Sequence, residues 1–456
     1  MEAQRRSAIV VGAGVAGLAV AWRLARRGVS VRVVEAADRV GGRVAAHFEE
    51  ATAYEALPQV LCAHDRRLLA WIGAVGLRDE LLPLRPLVVS VASAGRIHDV
   101  DVARFSDVHR IPGVKLRDAL RLVRLPRLLA RYRAEIDPSS PERAGRFDDR
   151  SVADFCRLYF GPSVLEHWLA PRLLSDSLAD ARETSRVPLL FELMGGALAR
   201  PGVPRAPLFE LALRAASGLP VSLGVEALAL ARCAEGGLRV ETSSGPALEA
   251  DTVVMALPAP AALRVADALL GAAELDVLRA VSYAPAITVS ALLRRPLRPR
   301  PGLVRVPGSE GSPLAAALYE PGLPGGRVAD GRGLLSLRAT PGFAAAHFDA
   351  PSEAIEKELL AAFERFWPGA QRAVERGHTL RVRHAAPRFE VGRYRQLERW
   401  DRVQRDARES GRRLYFAGDY LAHPSLEGAM LSAEKAADAV TADLARERGA
   451  GARSEA

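Results

Sequence analysis

Lysine is nearly missing from this chain of 456 residues: of 63 basic side chains only Lys115, Lys357 and Lys435 are lysines. The net charge of +9 is therefore an arginine excess spread along an alanine-rich sequence, and without clustering it gives no reason to expect a nucleic-acid partner. Cysteine is equally sparse. Cys62, Cys156 and Cys233 form no CxxC pair and leave an odd thiol, so they specify neither a disulfide framework nor a zinc site and suit a reducing, cytoplasmic compartment. No uninterrupted apolar run reaches about 18 residues, so no membrane-spanning helix is expected. HExxH and comparable ligand spacings are lacking too, and no metal site is expected. What is there, 49% hydrophobic and 26% charged residues, is the composition of a packed globular protein of more than one unit.

Arg5 and Arg6 ahead of an apolar run imitate a twin-Arg leader, but the glycines inside the run reject that reading. Ser7 to Val11 reads as a strand that ends in Gly12-Ala13-Gly14-Val15-Ala16-Gly17, after which Leu18, Ala21, Trp22 and Ala25 recur at helical spacing. Gly12 allows a tight turn, Gly14 lets the backbone approach a pyrophosphate, and Gly17 lets helix pack closely on strand. The helix start at Val15 and Ala16 offers free N–H groups and the positive end of the dipole to an anion. A second strand, Val31 to Val34, finishes at Glu35, 18 residues beyond Gly17, near the spacing of a ribose-binding carboxylate. Strand, glycines, helix, strand and acid in that order point to a dinucleotide. The chain then runs from Glu35-Ala36 into a second glycine turn, Gly41-Gly42-Arg43, which an NAD site does not need and which suits a diphosphate.

The stretch VVGAGVAGLAVAWRLARRGVSVRVVEAADRVGGRV resembles the FAD fingerprint of the flavin amine oxidase, protoporphyrinogen oxidase and carotenoid (phytoene) desaturase superfamily. That resemblance implies FAD, with Gly42 and Arg43 on its pyrophosphate. Near the other end, a strand from Arg413 to Ala417 leads into Gly418-Asp419, and Leu426-Glu427-Gly428-Ala429-Met430 opens a helix. FAGDY…PSLEGAMLSAEKAA resembles the C-terminal FAD signature of the same superfamily. It implies that Asp419 holds ribityl or ribose hydroxyls and that Gly428, Ala429 and Met430 lie beside the flavin ring, where a helix dipole stabilises charge gained on reduction. Val225 stands where the family places a valine against adenine. Pro58 and Gln59 lie in a segment, Tyr54 to Gln59, that resembles the flavin-adjacent one but lacks its usual glycine before Pro58.

Cofactor motifs near residues 12, 225 and 418 require a discontinuous domain. The expected fold class is α/β: a Rossmann-like FAD-binding domain from residues 1–80, 206–262 and 392–448, with an α+β substrate-binding domain built from inserts 81–205 and 263–391 and a flexible tail at 449–456. Residues 111–137 carry Lys115, Arg117, Arg121, Arg124, Arg127, Arg131 and Arg133 interleaved with Leu116, Leu120, Val123, Leu128 and Leu129. They read either as a peripheral membrane contact, at the inner face of a membrane, or as a solvated helical face.

No second GxGxxG follows Gly17, so hydride is expected from substrate, with dioxygen or quinone reoxidising a noncovalently bound FAD; no cysteine occurs in the C-terminal motif. The family's amine oxidases carry a lysine near the flavin on the strand that here reads Ile287-Thr288-Val289-Ser290, and an aromatic where Leu426 stands. Both departures favour a hydrophobic substrate of protoporphyrinogen or polyene type over an amine. A flavin amine oxidase and a noncatalytic FAD-binding protein are the alternatives. His384, Arg388 and Leu426 are candidate substrate contacts; no residue is singled out as catalytic, and the oligomeric state is left open.

Overall fold

In a computed structural model of the chain, the described residues are 6–50, 52–100, 102, 105–196, 200–234, 236–297, 302–322, 326–329 and 331–454, without the side chains of 106 and 447–454. The last two positions of the expected tail lie outside them. The chain divides into two compact units, one from residues 1–45, 209–282 and 395–456, the other from 46–208 and 283–394.

The first unit is built on an all-parallel sheet of β1 (Ser7–Val11), β2 (Ser30–Val34), β3 (Val221–Ser222), β4 (Thr252–Met255) and β5 (Leu414–Phe416), in the order β5-β4-β1-β2-β3. Ile9, Val10 and Val11 of β1 and Val253, Val254 and Met255 of β4 are buried on both faces, as central strands of a covered parallel sheet must be. Helix α1 (Val15–Arg26) buries Leu18, Val20, Ala21 and Leu24, and ends in Arg23 and Arg26, whose charge suits its C-terminal dipole. The long helix α2 (Leu426–Ser454) is tied to the end of α1, where Arg27 donates to Asp438 at 2.6 Å and to Thr441 at 3.1 Å. A three-stranded antiparallel sheet, Ala227–Arg232, Leu238–Thr242 and Leu248–Ala250, completes the unit. The strand order reverses at β1 and β4, and in such sheets ligands bind beyond the C-terminal strand ends at that point.

The second unit is α+β. Its seven-stranded sheet has the order Val374–Pro387, Tyr283–Leu293, Gly333–Ala339, Leu314–Pro321, Leu303–Arg305, Val89–Ser93, Arg96–Asp99. One face packs Ile287, Val289, Leu335 and Leu337 against Ile355, Leu359 and Phe363 of the helix Ser352–Glu364. Alternation then sends Thr288, Ser290, Ser336 and Arg338 to the opposite face.

In the basic segment, the helices Leu116–Arg121 and Leu125–Arg133 are joined by a 3-10 turn, with Pro126 in the first turn of the second, where its missing N–H costs nothing. Leu122, Leu125, Leu129 and Tyr132 are buried, while Leu116, Leu120 and Val123 are 61%, 61% and 74% exposed. Among the described residues no helix is long and apolar enough to cross a membrane.

Candidate cofactor site

The glycines after β1 are not equivalent. Gly12 has φ +105°, and a Cβ there would lie 2.7 Å from the Ala256 carbonyl oxygen; a Cβ on Gly17 would lie 1.9 Å from the Gly12 oxygen. Both must be glycine for the protein's own packing. Gly14 has an ordinary φ of −71° and a Cβ there would meet no protein atom within 4 Å, so nothing in the fold requires a glycine. The open space above Gly14 is what a diphosphate against the backbone would need. Gly14 also caps α1 without a side-chain bond, and the first turn has no acidic residue, so the positive end of the helix is not neutralised from within.

Gly41 and Gly42, with φ +103° and +54°, bring the second turn onto the first. Gly41 N–H donates to the Ala13 carbonyl at 2.8 Å, and a Cβ on Gly42 would lie 3.3 Å from Gly14 Cα. On the opposite side stands Glu35. Its carboxylate accepts from Ala13 N–H at 2.7 Å and Ala37 N–H at 2.9 Å, one bond to each oxygen, which fixes its direction and leaves lone pairs for hydroxyl donors. Ala36 is spanned by that loop, and Val225 N–H donates to the Glu35 carbonyl at 2.9 Å. Val225, 190 positions from Glu35, is thus brought to the same site.

The C-terminal motif joins the N-terminal one through a contact that neither suggests alone. Arg43 donates to both oxygens of Asp419, at 2.7 and 2.8 Å, and Tyr420 N–H adds a third bond at 3.1 Å. Gly418 N–H donates to Ser432 Oγ at 2.9 Å, locking the strand end to α2. Ser425 caps α2 with a bond from Gly428 N–H at 3.1 Å and meets His423 Nδ1 at 2.9 Å. A Cβ on Gly428 would lie 2.1 Å from the His423 oxygen, so this glycine has a packing reason. Ala429 and Met430 are buried, Leu426 half-buried.

The remaining sequence-derived positions lie in the second unit. The Pro58 carbonyl accepts from Arg338 at 2.9 Å and Gln59 closes onto the Leu57 carbonyl at 2.5 Å. Thr288, register neighbour of Arg338, donates to the Ala56 carbonyl at 2.7 Å, so two adjacent strand residues grip the segment whose glycine is missing. His384 stacks edge-on to Tyr283 with ring centroids 5.2 Å apart, and Arg388 pairs with Glu183 at 3.0 Å on the surface. Ser425, Thr288 and Arg338 are the residues that sequence reasoning missed. Ser425 was readable as a helix cap; the grip of Thr288 and Arg338 depends on a register no local pattern reveals.

The profile of the family described as "Flavin containing amine oxidoreductase" matches residues 15–441. A phytoene desaturase (lycopene-forming) from Paracoccus sp. is 35% identical over 97 residues, 21% of this chain and 19% of that protein. Protoporphyrinogen oxidase 2 of Arabidopsis thaliana is 22% identical over 190 residues, 38% of this chain and 32% of that protein. The chain therefore spans less than two thirds of these relatives. Among solved structures, cyclohexylamine oxidase from Brevibacterium oxydans superposes with a TM-score of 0.72 at 18% identity, covering 96% of this chain and 99% of that one.

Proposed function

Because the chain belongs to the flavin containing amine oxidoreductase family and is an FAD-dependent oxidoreductase, we propose that it oxidises a hydrophobic substrate of porphyrinogen or polyene type rather than an amine. The observation that carries this reading concerns lysine. The strand stretch Ile287-Thr288-Val289-Ser290, along which the family's amine oxidases keep one, has none, and the Thr288 hydroxyl is committed to the Ala56 carbonyl. Lys115, Lys357 and Lys435 are all exposed, so none takes over from within the fold.

Bound noncovalently, FAD supplies the hydride acceptor, with dioxygen or a quinone taking the electrons onward. Gly14, Val15, Ala16 and the turn at Gly42 hold the diphosphate by backbone N–H groups and helix dipole. Glu35 accepts from ribose hydroxyls and Val225 flanks the adenine. Arg43 and Asp419 together offer charge to phosphate and acceptor oxygens to sugar hydroxyls. The α2 start at Gly428, Ala429 and Met430 directs its positive end at the ring. Pro58 and Gln59 present the gripped backbone of their loop, and His384, Arg388 and Leu426 are the proposed substrate contacts. The first unit is read as the FAD-binding one, the second as the substrate-binding one.

Anaerobic mixing of the yellow protein with substrate tests this reading. Bleaching by a reduced lipophilic tetrapyrrole or a polyene supports it; bleaching by primary or secondary amines overturns it. The exposed Leu116, Leu120 and Val123, set among Lys115, Arg117, Arg121 and Arg124, support peripheral contact with an anionic bilayer. Co-sedimentation with phosphatidylglycerol vesicles, lost on changing the three apolar residues to serine, is the expected result.

A further inference from the structure

Arg338 is a guanidinium set into the protein without a hydrogen-bonded carboxylate. Among the described residues its bonds run to two main-chain carbonyls, Ser175 at 2.6 Å and Pro58 at 2.9 Å, and no carboxylate forms an ion pair with it at 4 Å or less. The neighbouring acids are engaged elsewhere. Asp176 receives Arg305 on both oxygens, at 3.1 and 2.9 Å, and faces Arg172 at 3.7 Å; Glu192 faces Arg172 at 3.4 Å. Asp176 also attracts Arg338 without bonding to it, so its one charge is divided among three guanidiniums, and burial pushes the Glu192 carboxyl up, weakening even that compensation. A guanidinium stays protonated and has five N–H groups, of which the carbonyls use two. Withdrawing such a charge from water without a bonded anion is costly, and burial drives its pKa down although Asp176 draws it back. By exposure the residue is nevertheless half-buried rather than enclosed, so part of it stays accessible to solvent or a ligand.

The surroundings narrow the ligand. Along the sheet, the register neighbours of Arg338 are Thr288 on one side and Ala316 on the other. Ala316 belongs to an apolar cluster with Val203, Leu303 and Leu318, and Leu57, next to Pro58, belongs to another with Ala284 and Ala286. A fork of donors between two apolar clusters matches a carboxylate on an otherwise apolar body.

We propose that Arg338, held in place by the Ser175 and Pro58 carbonyls, anchors a carboxylate carried by the hydrophobic substrate. This rests on the reading of the chain as an oxidoreductase of hydrophobic substrates and deepens it: the substrate is an amphiphilic acid, and a pure hydrocarbon does not use the site.

Calorimetric titration of the FAD-loaded protein with decanoate, and with decanamide as its uncharged counterpart, tests the anchor. Wild type is expected to prefer decanoate by roughly tenfold or more, the range of a charge-assisted pair. Arg338→Met abolishes the preference at unchanged FAD content, and so does Arg338→Gln, which keeps an amide donor for one carbonyl and serves if the methionine variant does not fold. Wild type that binds neither probe, or both equally, overturns the proposal, as does either variant retaining the preference. Protein that never takes up FAD defeats the oxidoreductase reading itself; yellow protein without the preference defeats only the anchor.

Discussion

Arg43 and Asp419, 376 positions apart, close a two-pronged ion pair at 2.7 and 2.8 Å that joins the two ends of the chain within one unit. The Asp419 side chain is 6% exposed and that of Arg43 33%. Losing Arg43 therefore strands a buried carboxylate, whereas losing Asp419 frees an arginine that water can solvate. Arg43→Met is expected to cost the apoprotein about 1–3 kcal/mol in urea unfolding, and Asp419→Ala less. Both weaken FAD binding.

The contrast between Gly14 and Gly17 separates folding from binding. Gly17→Ala drives a methyl group to within 1.9 Å of the Gly12 oxygen and is expected to prevent stable folding. Gly14→Ala meets no protein atom, so apoprotein stability stays within about 0.5 kcal/mol of wild type. Its FAD affinity, read by fluorescence titration, falls by roughly tenfold or more as the methyl group blocks the diphosphate. Unchanged affinity would remove the phosphate from this turn.

A buried ionic group in the second unit is the main electrostatic liability. Arg327, 1% exposed, bridges Glu55 at 2.7 Å and Glu320 at 2.9 Å. Burial holds the Glu55 carboxyl above its ordinary range, although Arg327 draws it back. Arg327→Met leaves the buried Glu55 without its cation beside Glu320, which still faces Arg85 at 3.7 Å, and is expected to cost about 3–5 kcal/mol near neutral pH. A raised carboxyl pKa means that the folded state binds more protons, so stability falls as pH rises from the unfolded carboxyl range. The deficit of the variant therefore shrinks from about pH 8 to about pH 5, as paired urea melts would record.

Thiol reactivity follows burial. Burial pushes the Cys62 thiol up to about 12 and that of Cys156 up as well. At about pH 8 only about one Cys62 in 10⁴ is thiolate. Cys62 and Cys233 are both partly exposed, so iodoacetamide on the native protein is expected to mark Cys233 first because the Cys62 thiol is held at about 12, with the buried Cys156 reacting on unfolding, as peptide masses would report.

Local order was legible where a short period and a glycine coincide. The turn at Gly12–Gly17, the acid at Glu35 and the helix opening at Leu426 each declare themselves within about one supersecondary unit, because their geometry depends on neighbours in sequence. The link between Arg43 and Asp419 was not legible, since two separately plausible phosphate and sugar ligands give no sign that they meet. Arg327 and Arg338 were hidden for a different reason: in a chain so rich in arginine, a buried guanidinium looks like any surface one. The alternation Leu334-Leu335-Ser336-Leu337-Arg338 shows that polar residues share one strand face, but only the tertiary register tells that Arg338 there reaches the Ser175 and Pro58 carbonyls.

The central claim is that both ends of the chain hold one FAD. Titration of the apoprotein with FAD tests it most directly: saturation at a single FAD per chain is expected, with the cofactor released intact by acid denaturation and Arg43→Met and Gly14→Ala each shifting the curve to weaker binding. An apoprotein that stays colourless in excess FAD, or binds it equally well in both variants, would contradict it.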